Sequence, residues 1–307
     1  MTKNLHIFLT NFTHESRALK QSKSLTDSGL FDQVVFAVTW DKNLEEYEEI
    51  DDKRKSWRVR LSIPERKIVY RFRYFEWLLR ILFSKELDDV SVVQPHSLLS
   101  LPVGVLIKFI KGVKLVYDAH ELETESNGLK GRRKILYKFI EKIFIRYADA
   151  VIVVSQSISE WYLSNYKIQN LYVVKNVPSL QEQKSEASEK DPNINLKDFC
   201  NLSEDDILFI YVGGLFRGRG IEIILDTFAK LDSKYHIIFM GYGELEDKIK
   251  SYQIGFSNIH FHPAVNPNMV IKYTQTADIG IALIENICLS YYFCLPNKVF
   301  EYLLSEI

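Results

Sequence analysis

Apolar residues follow two alternating patterns along this chain. Short runs, at Leu5–Leu9, Val34–Val38, Val90–Val93, Val113–Tyr117, Ala150–Val154 and Leu171–Val174, are each bounded by Pro, Gly, Asn or Asp. Between them lie helical patterns, notably Arg66–Phe83 and Arg132–Tyr147. β-Rich runs alternating with helices predict βαβ units and a parallel sheet covered on both faces. Residues 178–206 break the pattern: they are rich in Gln, Glu, Lys, Ser and Asn and are read as a linker. The alternation restarts with strands at Ile207–Val212, His236–Met240, Ile259–Phe261 and Ile279–Leu283 and helices at Ile221–Leu231, Glu244–Lys250 and Val299–Leu304. The predicted fold is α/β, with doubly wound domains over 1–177 and 207–307. The second has few strands for such a sheet and is expected to be incomplete at its C-terminus.

Composition narrows the class. With 47% hydrophobic and 26% charged residues the chain is an ordinary globular one, which excludes disorder, collagen and coiled coil. The greasiest stretch, Leu98–Ile110, contains Lys108 and falls short of the roughly 18 residues of a membrane span. No signal peptide is expected. Three cysteines without metal-ligand spacing predict a reducing cytoplasm and neither a disulfide framework nor a structural zinc. The net charge of −1 conceals an asymmetry: residues 1–180 carry 28 basic against 22 acidic side chains, and residues 181–307 carry 11 against 18. Nucleic acid is not expected as a partner, because no binding motif accompanies the modest basic excess. An anionic membrane surface fits better.

Four clusters could carry chemistry. Tyr211-Val212-Gly213-Gly214-Leu215-Phe216-Arg217-Gly218-Arg219-Gly220 follows a predicted strand and precedes a helix. Glycines there let backbone N–H groups approach a phosphate, and Arg217 and Arg219 would add charge-assisted bonds. A flexible turn with solvated arginines is the plain alternative. Gly241-Tyr242-Gly243 repeats the arrangement, or is a tight turn; ligands of open α/β sheets bind at such strand ends. In Leu295-Pro296-Asn297-Lys298-Val299-Phe300-Glu301-Tyr302, a lysine in the first helical turn opposes the dipole unless an anion sits there. A solvated lysine and a capping glutamate is the other reading. Tyr117-Asp118-Ala119-His120-Glu121 ends a strand, where His120 is either functional or structural.

Together these segments resemble the retaining GT-B glycosyltransferases of family four. The second half carries Tyr211-Val212-Gly213-Gly214 with Arg219-Gly220, then Met240-Gly241-Tyr242-Gly243, Ala277-Asp278-Ile279-Gly280 and Pro296-Asn297-Lys298 with Glu301-Tyr302. The first half is similar at Val116–Glu121 and Tyr147–Ser155. The resemblance implies two Rossmann-like domains, an acceptor domain followed by a nucleotide-sugar domain. It implies donor binding by Gly213, Gly214, Arg217, Arg219, Gly241, Asn297, Lys298 and Glu301, and a catalytic role for His120 near the transferred sugar. Two positions depart from the pattern: Phe293 stands where the first glutamate of E-x7-E would be, and Gly214 replaces an arginine, for which Arg217 could substitute.

The implied activity is hexosyl transfer with retention from a nucleotide-sugar donor to a lipid-linked or polysaccharide acceptor, in cell-surface polysaccharide synthesis. Helix dipoles and basic side chains would hold the leaving diphosphate, so neither a metal nor another cofactor is expected. Two alternatives stand beside it: a non-catalytic or partner-dependent subunit, and a sugar-nucleotide epimerase on the same fold.

Arg66–Lys85 holds six basic residues against Glu76 alone. Read as a helix, it places Ile68, Phe72, Phe75, Leu79 and Leu82 on one face, expected to pack into the core. Arg71, Arg73, Trp77 and Arg80 are then expected to face an anionic membrane. The predicted location is cytoplasmic and peripheral on the inner face of the plasma membrane.

Overall fold

The computed structural model describes residues 2–13, 15–63, 70–177 and 194–307. The chain divides into two compact units, Met1–Lys175 and Asn176–Ile307.

The first unit runs β1 (Lys3–Ile7), α1 (Ser16–Asp27), β2 (Gln33–Thr39), β3 (Tyr47–Asp51), β4 (Arg54–Val59), α2 (Tyr70–Leu82), β5 (Val90–Pro95), α3 (Leu101–Lys111), β6 (Lys114–Asp118), α4 (Gly131–Phe144), β7 (Ala150–Val153), α5 (Gln156–Asn165) and β8 (Leu171–Val173). Its eight-stranded sheet has the order β3-β4-β2-β1-β5-β6-β7-β8. All pairings are parallel except β3 with β4. The order reverses between β1 and β5, the switch point at which a doubly wound sheet opens its ligand crevice.

The strand–helix alternation expected throughout is broken by β3 and β4, which follow β2 without a helix. Their charged sequences, Tyr-Glu-Glu-Ile-Asp and Arg-Lys-Ser-Trp-Arg-Val, do not read as sheet. Arg58 is buried there because its guanidinium donates to the Asn11 and Glu45 carbonyls and pairs with Glu48 at 2.5 Å. A buried arginine with its donors satisfied costs far less than an unpaired one.

Helix α2 is turned the other way from the expectation. Trp77 and Ile81 are fully buried, and Tyr74 donates from its hydroxyl to the Leu99 carbonyl at 2.8 Å. Phe72, Phe75, Leu79 and Phe83 are exposed. Trp77 therefore faces the core, not a membrane. Arg73 donates to the Ile63 carbonyl and Arg80 pairs with Glu76, so both are engaged within the unit. The side chain of Arg71, and Ile68, lie outside the described residues.

The second unit runs α6 (Leu196–Phe199), β9 (Ile207–Gly214), α7 (Ile221–Phe228), β10 (Tyr235–Tyr242), α8 (Glu246–Gly255), β11 (Ile259–Pro263), α9 (Val270–Thr274), β12 (Ile279–Gly280), α10 (Leu289–Tyr292) and α11 (Asn297–Leu304). Its parallel sheet has the order β11-β10-β9-β12, with the switch point between β9 and β12. Alternate residues of the central strands feed two cores. Tyr211, Ile237 and Phe239 meet α7 and α8; Leu208, Ile210, Val212 and Met240 meet α6 and Tyr302 of α11. The expected linker over 178–206 needs correcting at its C-terminal end. Asn195 caps α6 through its side chain, and Leu196 and Cys200 lie in the second core. Residues 178–193 lie outside the described residues.

Candidate functional site

In the second unit the glycine-rich turn leaves β9 at the switch point. Gly213, Gly218 and Gly220 all have positive φ, and Gly220 is the N-cap of α7. Such a path is open to glycine at little cost and strained for other residues. Gly241 is required for a different reason: a Cβ there would stand 1.9 Å from the Gly213 carbonyl oxygen. The two turns brace each other, since Leu215 N–H donates to the Tyr242 carbonyl and Leu245 N–H donates to Leu215. Glu285 accepts from Gly220 N–H and Glu244 accepts from Arg217 N–H.

Lys298, in the first turn of α11, is buried, and its Nζ has no hydrogen-bond partner. It lies over the Tyr211 ring, 3.4 Å from the centroid. Burial, reinforced by the Arg219 charge and opposed by Glu301, brings its pKa down to about 7. The Arg219 guanidinium stacks over the Tyr291 ring at 4.6 Å. Tyr302 locks α11 to the sheet: its hydroxyl accepts from Val212 N–H and lies 3.0 Å from the Ile281 carbonyl, with Gly280 too close beneath the ring to carry a Cβ. Lys298, Arg219 and Glu301 thus converge beside the glycine turn. Arg217 is exposed, and Asn297 accepts from Asn176.

In the first unit a polar network fills the switch point. Asp118, at the end of β6, is fully buried and accepts from Arg17 Nη2 at 3.0 Å and Gln21 Nε2 at 2.9 Å. His96, just past β5, stands with Nδ1 3.2 Å from Asp118, and its Nε2 lies 2.7 Å from His6 Nδ1 on β1. The bonds close when each imidazole carries its proton on Nδ1. Burial lowers the pKa of both histidines, most strongly for His6. Burial would raise that of Asp118, but the His96 and Arg17 contacts outweigh it and hold the carboxyl well below its ordinary range. His120 is half-buried, with Nδ1 enclosed and lacking a hydrogen-bond partner. Ligand atoms of His96, Asp118 and His120 lie within 4.8 Å of one another, close enough to surround a cation. However, Asp118 is already saturated by donors, which fits a hydrogen-bonded network better than a metal centre.

Residues 15–178 match the sequence profile of Glycosyltransferase Family 4. That is more than half of the chain. The chain belongs to glycosyltransferase family 4. An uncharacterised glycosyltransferase of Methanocaldococcus jannaschii is 24% identical over 287 residues, covering 85% of this chain and 68% of the relative. The curated relatives are longer, and the chain spans 39% to 68% of their lengths. Among solved structures, sucrose-phosphate synthase from Thermosynechococcus elongatus aligns over 98% of this chain and 78% of its own, with a TM-score of 0.74 at 16% identity. HepE of Anabaena, solved in complex with UDP and glucose, aligns over 92% and 74% with a TM-score of 0.63 at 13% identity. These likenesses establish the GT-B fold of two Rossmann-like domains.

In this glycosyltransferase the residues singled out from sequence do not all meet. Lys298, Arg219, Glu301 and the glycines gather at one sheet edge, whereas Arg217 points to solvent. Sequence reading missed Arg17 and Gln21, which reach Asp118 from α1, His96, which reaches it from the loop after β5, and His6 of β1, which bonds to His96. The available signal was a histidine inside the apolar run Leu5-His6-Ile7 and another directly after β5. Among the described residues, no helix is long and apolar enough to cross a membrane.

Proposed function

We propose that this family-4 chain transfers a hexosyl group from a nucleoside-diphosphate sugar, with retention, to a lipid-linked or polysaccharide acceptor in cell-surface polysaccharide synthesis. The observation that carries the reading is Lys298, buried and without a hydrogen-bond partner beside Arg219 and the glycine turn. A buried ammonium lacking an acceptor is costly unless an anion arrives to meet it. HepE, of the same fold, holds UDP and glucose. As the anomeric C–O bond to phosphate breaks, Arg219, Lys298 and the backbone amides after β9 take up the negative charge of the leaving group. The acceptor hydroxyl forms the new C–O bond on the same face, and its proton passes to the leaving phosphate oxygen. No side chain need act as base. His120 contacts the sugar.

The test is incubation with UDP-glucose and a glycan acceptor, with NMR of the product. An α-linked product from the α-donor is expected, and a β-linked one would exclude the mechanism. His120→Ala should lower kcat while leaving UDP affinity unchanged. A second reading, a partner-dependent subunit, rests on Phe293 in place of the first motif glutamate. In that case UDP binds but is not released from UDP-glucose by the chain alone. An epimerase would instead return an altered sugar nucleotide.

A further inference from the structure

Between Asp278 and Lys298 the chain carries one charged residue, Glu285. Its carboxylate lies on the glycine turn after β9: Oε1 accepts from the N–H of Gly220, the N-cap of α7, at 3.2 Å. The backbone around it is fastened to the same turn. Glu285 N–H donates to the Gly218 carbonyl at 2.9 Å, and a Cβ on Gly218 or Gly220 would collide with Ile287 or Leu283. Tyr291, further along the segment, holds the Arg219 guanidinium over its ring.

A helix N-terminus attracts an anion through its free N–H groups and its dipole. Here the chain supplies the anion itself, on the amide next to Arg219 in sequence. Two features mark the contact as replaceable. At 3.2 Å it is long for a bond to a charged acceptor, which normally runs at about 2.7–2.9 Å. Among the described residues the Glu285 side chain makes no ion pair and no second hydrogen bond, although Arg217 and Arg219 stand in the same turn.

We infer that Glu285 is an internal stand-in for the donor's phosphate: its carboxylate holds the Gly220 amide until a diphosphate arrives and displaces it. The inference rests on the donor site proposed above. A diphosphate offers several oxygens to the amide, Arg219 and Lys298 together, whereas the Glu285 carboxylate serves the amide alone. Exchange therefore favours the ligand, against the loss of one weak hydrogen bond. The same contact keeps the glycine turn in its binding shape and lowers the affinity for the donor.

Calorimetric titration of the full chain with UDP tests this. Glu285→Ala should tighten binding about threefold to tenfold, the range for one weak hydrogen bond that the ligand no longer has to displace. Glu285→Gln keeps an acceptor for Gly220 and loses the charge, so its affinity should fall between that of Glu285→Ala and wild type. Pyrophosphate, with no base or ribose, should gain by the same factors. Circular dichroism should be unchanged in both variants, and the Gly220 amide should exchange its hydrogen faster in Glu285→Ala without ligand. A gain seen with UDP and absent with pyrophosphate overturns the inference, as does unchanged exchange at Gly220. If wild type binds UDP and the variants bind it no more tightly, the donor site stands, the stand-in fails and Glu285 is only a brace. If neither wild type nor variants bind UDP, the donor site itself fails, and the stand-in with it.

Discussion

The Nζ of Lys298 lies 3.4 Å from the centre of the Tyr211 ring, the closest cation–π contact among the described residues. The ring face offers partial compensation to a desolvated ammonium. It does not replace a hydrogen-bond acceptor, and the pKa of the lysine accordingly sits near 7.

The first prediction is a pH-dependent donor affinity. A bound diphosphate favours charged Lys298, so binding raises its pKa above the value of about 7 in the free protein. UDP affinity should therefore fall with rising pH, by up to about tenfold per pH unit above 7. Calorimetry at pH 8 in buffers of different ionisation enthalpy should read uptake of roughly one proton per UDP bound. Equal heats in all buffers would contradict it.

Lys298→Met should stabilise the ligand-free protein. With the folded pKa depressed from 10.5 to about 7, the unfolded chain binds more protons between those values. Wild-type stability therefore rises with pH across that window, and the penalty is full below it. The gain in Tm on substitution should be larger at pH 6 than at pH 9. A thermal scan at the two pH values checks the order.

Arg219→Ala should weaken UDP binding roughly tenfold or more, as expected for one lost hydrogen bond to a charged group of about 1.5–3 kcal/mol. Arg217→Ala, exposed at the same turn, should change affinity less. Titrations that rank the two arginines the other way would reassign the donor contact.

Gly241→Ala should destabilise the second unit by about 1–3 kcal/mol or more, because the new Cβ meets backbone that cannot step aside. Gly255→Ala, with open space around its Cβ, is the control and should be nearly neutral. Urea denaturation of both variants measures the difference.

Asp118→Asn should cost about 3–5 kcal/mol by leaving Arg17 buried without its counter-charge. The folded carboxyl titrates below its ordinary value of 3.8, so its stabilisation is complete above that pH and is lost as pH falls through the lower folded value. The gap between wild-type and variant should narrow below about pH 4. A gap that stays constant to pH 2 would argue that the carboxylate contributes little as a charge.

Strand–helix alternation, the glycine turns after β9 and β10, and the lysine in the first turn of α11 were legible in the residues themselves. Each is local: a run, a turn or a helix end carries its own signal. Helix α2 shows where local signals stop. It has two apolar stripes, Phe72-Phe75-Leu79 and Trp77-Ile81, and periodicity cannot rank them. Which stripe is buried was decided by contacts made elsewhere in the chain, such as the Leu99 carbonyl that receives Tyr74. In α4 two distant tyrosines hold Glu141 inside and turn Ile135 and Phe139 outward. His6, His96 and Asp118 are 90 and 22 positions apart along the chain and meet only because β1, β5 and β6 are neighbours in the sheet. Local pattern specifies the elements because backbone geometry repeats over a few residues. Orientation and convergence depend on side chains far apart in sequence, which the sheet order alone brings within hydrogen-bonding distance.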